Sequence, residues 1–74
     1  MFKITKNDIN QIIHIMLKHQ CKCSMQTISR HYDYYGEEKY KRKKIREIFK
    51  KIENNGTIRI EVKYTKSNVE LIFV

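Results

Sequence analysis

The residues best placed to do chemistry in this sequence are cations. Lys39, Lys41, Arg42, Lys43, Lys44, Arg46, Lys50 and Lys51 stand in one stretch, opposed only by Glu47, and they make up half of the sixteen lysines and arginines in the chain. Such groups displace counterions from phosphates, which gives an affinity that falls steeply with salt. They also donate to the acceptor atoms of guanine. A second set, His19, Cys21 and Cys23, invites a zinc reading, because thiolate and imidazole suit that metal. The spacing matches no zinc knuckle, however, and a four-ligand site would need His14 or His31 brought in from elsewhere. No metal, cofactor or catalytic group is expected. The three histidines are tied to no nucleophile by any motif, and Gly36 and Gly56, the only glycines, make no phosphate loop.

The cations need a helix to line them up. Ile45, Ile48, Phe49 and Ile52 recur at i, i+3, i+4 and i+7, the apolar stripe of an amphipathic helix. At about 100° per residue, Lys39, Lys43, Arg46 and Lys50 project from the opposite side, with Tyr40 at its edge. The helix is predicted over about 38–54, and Asn54-Asn55-Gly56 stops it, with Gly56 at the left-handed C′ position. Beyond Gly56 the period changes to that of strands. Ile58, Ile60, Val62 and Tyr64 share one face of the first strand, and Val69, Leu71 and Phe73 share one face of the second. Thr65-Lys66-Ser67-Asn68 is a polar tip between them. Arg59 and Lys63 point outward, as do Glu70, Ile72 and Val74.

Upstream, Thr5 and Asp8 approximate a capping box that starts a first helix running to about Gln20. Its expected buried stripe is Ile9, Ile12, Ile13, Met16 and Leu17, with Ile15 outside. Phe2 and Ile4 alternate as in a short N-terminal strand. Cys21 is expected as a small core residue and Cys23 in a linker. Ser24 caps a second helix, SMQTISRHYDYY, with Met25, Ile28 and Tyr32 toward the core. Asp33–Glu38 is a turn in which Gly36 supplies a sharp reversal.

A basic helix, an Asn-Asn-Gly stop and a hairpin, in that order, resemble the end of a winged helix-turn-helix domain. The resemblance implies an α+β fold: three helices, a C-terminal β-hairpin wing and, as a third strand, the N-terminal segment. The length sets one domain over 1–74. The turn departs from the family pattern, being longer and carrying Tyr34 and Tyr35 where a tight turn would hold an apolar residue. The expected partner is double-stranded DNA. A helix of ~10–12 Å diameter fits a major groove ~12 Å wide. Lys43 and Arg46 would face the groove, and Lys39, Lys41, Arg42, Lys44 and Lys50 would hold phosphates. Lys66 would touch the flanking backbone, with Arg30 and Arg59 as secondary contacts. The free face lacks Asn and Gln, the usual readers of adenine, which points to weak sequence selectivity.

Length and charge bound the alternatives. Seventy-four residues give a thin core with no room for a deep catalytic cavity. A net charge of +8 favours a polyanionic partner. No apolar run approaches the roughly 18 residues of a membrane span, and MFKITKNDIN has no secretory h-region. Two cysteines separated by one residue make no disulfide framework. A cytoplasmic, nucleoid-associated protein is the expectation. The absence of Ala, Pro and Trp, with abundant Lys, Ile and Asn, suggests an AT-rich genome such as that of a phage or mobile element, in which the chain would be a transcription regulator or accessory replication factor. Two other roles fit the same residues. One is a module docking on an acidic protein; the other is a single-stranded DNA binder that stacks bases on Tyr32, Tyr34, Tyr35 and Tyr40. Ile72 and Val74, apolar on an outward face, would form a homodimer contact or pair with the N-terminal strand.

Overall fold

A computed structural model of the chain describes residues 2–57 and 59–74. Helix α1 (Lys6–Lys18) leads to strand β1 (Lys22–Cys23) and helix α2 (Met25–His31). A 3-10 turn (Glu38–Tyr40) then opens helix α3 (Lys41–Glu53), which is followed by strands β2 (Ile60–Tyr64) and β3 (Val69–Phe73). Among the described residues this is an α+β arrangement of three α-helices with one three-stranded antiparallel sheet in the order β1-β3-β2.

The capping box read at Thr5 forms. The Asp8 amide donates to the Thr5 hydroxyl at 3.2 Å, and the Asp8 carboxylate accepts from the Thr5 amide at 3.0 Å. At the other end, Gln20 donates to the Leu17 carbonyl at 3.2 Å and Cys21 to the Met16 carbonyl at 2.7 Å. That is the Schellman pattern, normally reserved for glycine. Here Gln20 and Cys21 take it with φ of 55° and 63°, a strained choice for residues with a Cβ. The reversal turns the chain straight into β1, where Lys22 pairs with Glu70 and Cys23 with Val69. The third strand therefore comes from between the first two helices and not from the N-terminus. Residues 2–5 form no strand, and Met1 lies outside the described residues. Two residues carry no readable alternation, so pairing with β3 alone creates β1.

Cys23, expected in a linker, is the more deeply buried cysteine, and Cys21 packs against the edge of the core. Cys23 is buried beside Met16, with its Sγ 3.6 Å from the Met16 Sδ, and Cys21 is half-buried. Burial pushes the Cys23 thiol pKa up. Helix α1 is also rotated from expectation. Ile15 is 6 % exposed and Leu17 56 %. The buried arc is Asp8, Ile12, Ile15 and Met16, and Leu17 stands half a turn round from Asp8 at about 100° per residue. A stripe counted from apolar residues alone omits the carboxylate that belongs to it.

In the hairpin, Ile60, Val69 and Leu71 are buried as expected, whereas Tyr64 and Phe73 at its ends are more than half exposed. Ile58 lies outside the described residues. Ile72 is half-buried and Val74 exposed. Helix α2 ends at His31, earlier than expected, because Tyr32 turns to extended backbone (φ −79°, ψ 125°).

Asp8 explains both the rotation of α1 and the position of Tyr32. Its carboxylate accepts from the Tyr32 hydroxyl at 2.7 Å and from the Thr5 hydroxyl at 3.0 Å, and lies 3.6 Å from the Lys44 ammonium on α3. Burial by itself raises a carboxyl pKa. The bonds from Thr5 and Tyr32 and the Lys44 charge outweigh it and hold Asp8 below the ordinary 3.8. Burial, and then the Asp8 bond, push the Tyr32 phenol above its ordinary 10.0. Because the folded Asp8 pKa is depressed, its stabilisation is complete above pH 3.8 and lost as pH falls through the folded value. The raised Tyr32 value acts oppositely: its contribution is complete below pH 10.0 and lost as pH rises through the folded value. Asp8→Ala should lower stability at neutral pH by about 2–4 kcal/mol, since it strands a half-buried ammonium and a buried phenol. It should also flatten the acid limb of the stability curve. Urea unfolding at neutral pH and in acid measures both.

Candidate nucleic-acid interface

Helix α3 is shorter than its predicted span, because Glu38–Tyr40 wind as a 3-10 turn and the α-helix begins at Lys41. Gly36 precedes it, packed under the Tyr34 ring. It has no positive φ, but a Cβ there would stand 2.6 Å from the Tyr34 hydroxyl. At the far end Asn54 is the cap and Gly56, at φ 78°, lies one position beyond the expected C′. The Asn55 side chain bridges the stop, donating to the Ile52 carbonyl at 2.6 Å and accepting from the Thr57 amide at 2.7 Å.

Local electrostatics oppose the start of this helix, while Lys50 and Lys51 in its last turn suit the dipole. Its first turn holds no acid, so the charges of Lys41 to Lys44 face the positive end of the helix dipole. Arg42, Arg46 and Lys50 follow one another at i+4, and each such like-charged pair costs ~0.2–0.5 kcal/mol. Burial holds the helix instead: Ile45, Ile48 and Phe49 are fully buried and Ile52 nearly so.

The outer face of α3 stands beside the hairpin, and two contacts set the spacing. The Glu53 carboxylate accepts from the Val62 amide on the free side of β2 at 3.1 Å. The rings of Phe49 and Tyr64 meet at 6.4 Å, nearly perpendicular. At the tip, the Thr65 amide donates to the Asn68 carbonyl at 2.9 Å and the Asn68 amide to the Thr65 hydroxyl at 3.1 Å, leaving Lys66 and Ser67 at the apex. Between helix and hairpin runs an open groove. Arg42, Lys43, Arg46 and Lys50 line it from α3 and Lys66 from the tip, with Met25 and Gln26 of α2 at its end. Two acids, Glu47 and Glu53, share it with those five cations.

The remaining expected contacts lie elsewhere. Lys44 departs furthest from expectation. Its side chain is 19 % exposed, its ammonium lies 3.6 Å from Asp8, and it stands 5.7 Å from the Tyr34 ring centre and 6.0 Å from that of Tyr32. On the helix Lys44 lies about 100° behind Ile45 and Arg46 about 100° ahead, so the one turns to α1 and α2 and the other to the hairpin. Lys41 is half-buried and does not line the groove. Lys39 and Tyr40 precede α3. The Lys39 ammonium is 5.1 Å from the Tyr40 ring centre and 3.7 Å from Glu37, an exposed pair of small weight. Arg30 is exposed near the end of α2, outside the groove.

The tyrosines of the turn are partly consumed by packing. Tyr32 is buried and Tyr34 stacks on it at 6.1 Å, while Tyr35 is 90 % exposed. Among the residues that sequence reasoning missed is Tyr64, assigned to packing yet lining the groove. Burial pushes its phenol pKa up, Arg46 opposes the rise and Glu53 adds to it. No pattern in the sequence marks it, since only the strand register places it there. The rings of His19 and His31 approach to 5.8 Å, but among the described residues no three His, Cys, Asp or Glu side chains gather to hold a metal. Among the described residues no helix is long and apolar enough to cross a membrane.

No family model, curated protein or solved structure matches this chain.

The two neighbouring lysines should separate in their effects. Lys44→Met should lower stability by about 1–3 kcal/mol, the range for a charged hydrogen-bonding partner. Lys43→Met should leave it within about 0.5 kcal/mol. Thermal unfolding of the two variants provides the measurement.

Proposed function

We propose that this chain is a small winged-helix DNA-binding protein whose α3 enters the major groove while the β2–β3 tip rests on the flanking backbone. In this reading it acts by binding, as a regulator or accessory replication factor, and carries out no catalysis. Lys43, Arg46 and Lys50 face the duplex, Arg42 and Lys66 flank it, and β1 serves as the third strand beside the wing. Lys44 is excluded from the contact set, since Asp8 holds it.

The observation that carries the reading is the concentration of Arg42, Lys43, Arg46, Lys50 and Lys66 around one open groove. Arg42 and Lys43 lie in the acid-free first turn, at the positive end of the helix dipole, and Arg42, Arg46 and Lys50 are like-charged neighbours at i+4, arrangements that cost the helix stability. Charges retained against local stability mark a functional surface, and a polyanion relieves their repulsion. Phosphate contacts give affinity without base readout, and the outward face of α3 offers no Asn or Gln.

Binding to duplex DNA should fall with salt along a log–log slope of about −4 to −5, as expected for roughly five phosphate contacts. The Lys43→Glu/Arg46→Glu double variant should reduce that slope by about 2. It should also weaken binding at least tenfold in a mobility-shift titration between about 50 and 200 mM salt. Unchanged binding by this variant would remove α3 from the interface. No binding to duplex by the parent protein, with co-purification of an acidic partner, would favour the docking-module role.

A further inference from the structure

The groove contains a ring whose faces find no stacking partner in an uninterrupted duplex. Tyr64 is 52 % exposed at the end of β2, and its edge contact to Phe49 seats it on a fully buried side chain. Its position is therefore fixed while part of its surface stays open. The groove encloses about 870 Å³, within the ~300–1,000 Å³ of sites that hold small ligands. Lys66 stands on the hairpin side and Arg46 on the helix side. An anchored, half-open aromatic ring between cations is the arrangement that stacks an unpaired base while its phosphates are neutralised. In an intact duplex the base faces are already occupied by their neighbours, so the ring has nothing to stack on. The turn tyrosines are poorer candidates: Tyr32 is buried, Tyr34 lies against it beneath Lys44, and exposed Tyr35 does not line the groove.

We propose that the groove between α3 and the hairpin seats an unpaired nucleotide, its base on Tyr64 and its phosphates on Arg46 and Lys66, so that the protein prefers DNA with a single-stranded extension over uninterrupted duplex. This rests on the DNA-binding reading above and adds a structural preference to it. An acidic peptide is a weaker fit to the same groove, because Glu47 and Glu53 also line it and a peptide needs no anchored ring.

The test is a fluorescence-anisotropy titration of a blunt duplex and of the same duplex with a short single-stranded extension. The parent protein, Tyr64→Ala and Tyr64→Phe are compared at one salt concentration, with circular dichroism confirming the fold of each. The parent should bind the extended DNA about tenfold tighter, within the range that one stacked base contributes. Tyr64→Ala should lose that preference, read as the ratio of the two affinities, while Tyr64→Phe, which keeps the ring against Phe49, retains it. Equal binding of the two DNAs by the parent overturns the proposal and leaves the duplex reading standing. So does a preference that survives Tyr64→Ala. Failure to bind either DNA overturns both readings at once.

Discussion

One buried carboxylate fixes the relation of the three helices. Asp8 caps the start of α1 through Thr5, accepts from Tyr32 just beyond α2, and lies against Lys44 on α3. A small core leaves little margin for error in helix angle, and apolar packing alone is tolerant of rotation and sliding. A carboxylate with partners on three sides is less tolerant, because each partner loses a strong bond when its helix turns. The cost is a buried charge, which these bonds and the Lys44 ammonium offset. The same constraint decides which side of α3 stays free, since Lys44 can reach Asp8 only if Arg46 looks toward the hairpin.

Helix α3 is a compromise between two demands. Its apolar side is buried across Ile45, Ile48, Phe49 and Ile52, and its other side accumulates like charges. An isolated helix of this length would be marginal even without repulsion. Tertiary burial therefore stabilises a surface that local energetics disfavours. The hairpin completes the arrangement. Glu53 occupies an amide on the outer side of β2, which blunts a strand edge that would otherwise invite pairing. The Phe49–Tyr64 contact then sets the width of the groove between the two elements.

The proposed functions follow from this geometry in a definite order. Phosphate attraction comes from the net charge and extends beyond contact. Orientation, in the proposal, would come from the groove, where cations on a helix and on a tip would address one strand from two sides. Selection, in the proposal, comes from shape and from an available base face more than from hydrogen-bonding amides. Gln26 and Asn68 do reach the groove, from α2 and from the tip, and no helical stripe could have revealed them. A preference built on stacking tolerates sequence variation, because every base has a π-face.

The sequence by itself determined the local features. The capping box at Thr5, the Ser24 cap, the two faces of α3, the left-handed Gly56 and the hairpin are all legible, because each depends on residues within a turn or two of one another. Tertiary structure alone decided the rest. Strand β1 exists because Val69 and Glu70 offer it a partner, and two residues hold no period of their own. The rotation of α1 depends on a polar residue in its buried arc, which a count of apolar side chains leaves out. Lys44 was indistinguishable from its neighbours in the basic run until a carboxylate thirty-six positions earlier claimed it. Tyr64 read as one more inward strand residue until α3 was seen to leave it half-uncovered. Short-range hydrogen bonds and periodicity are written along the chain; which long side chain meets which distant charge depends on how the helices pack.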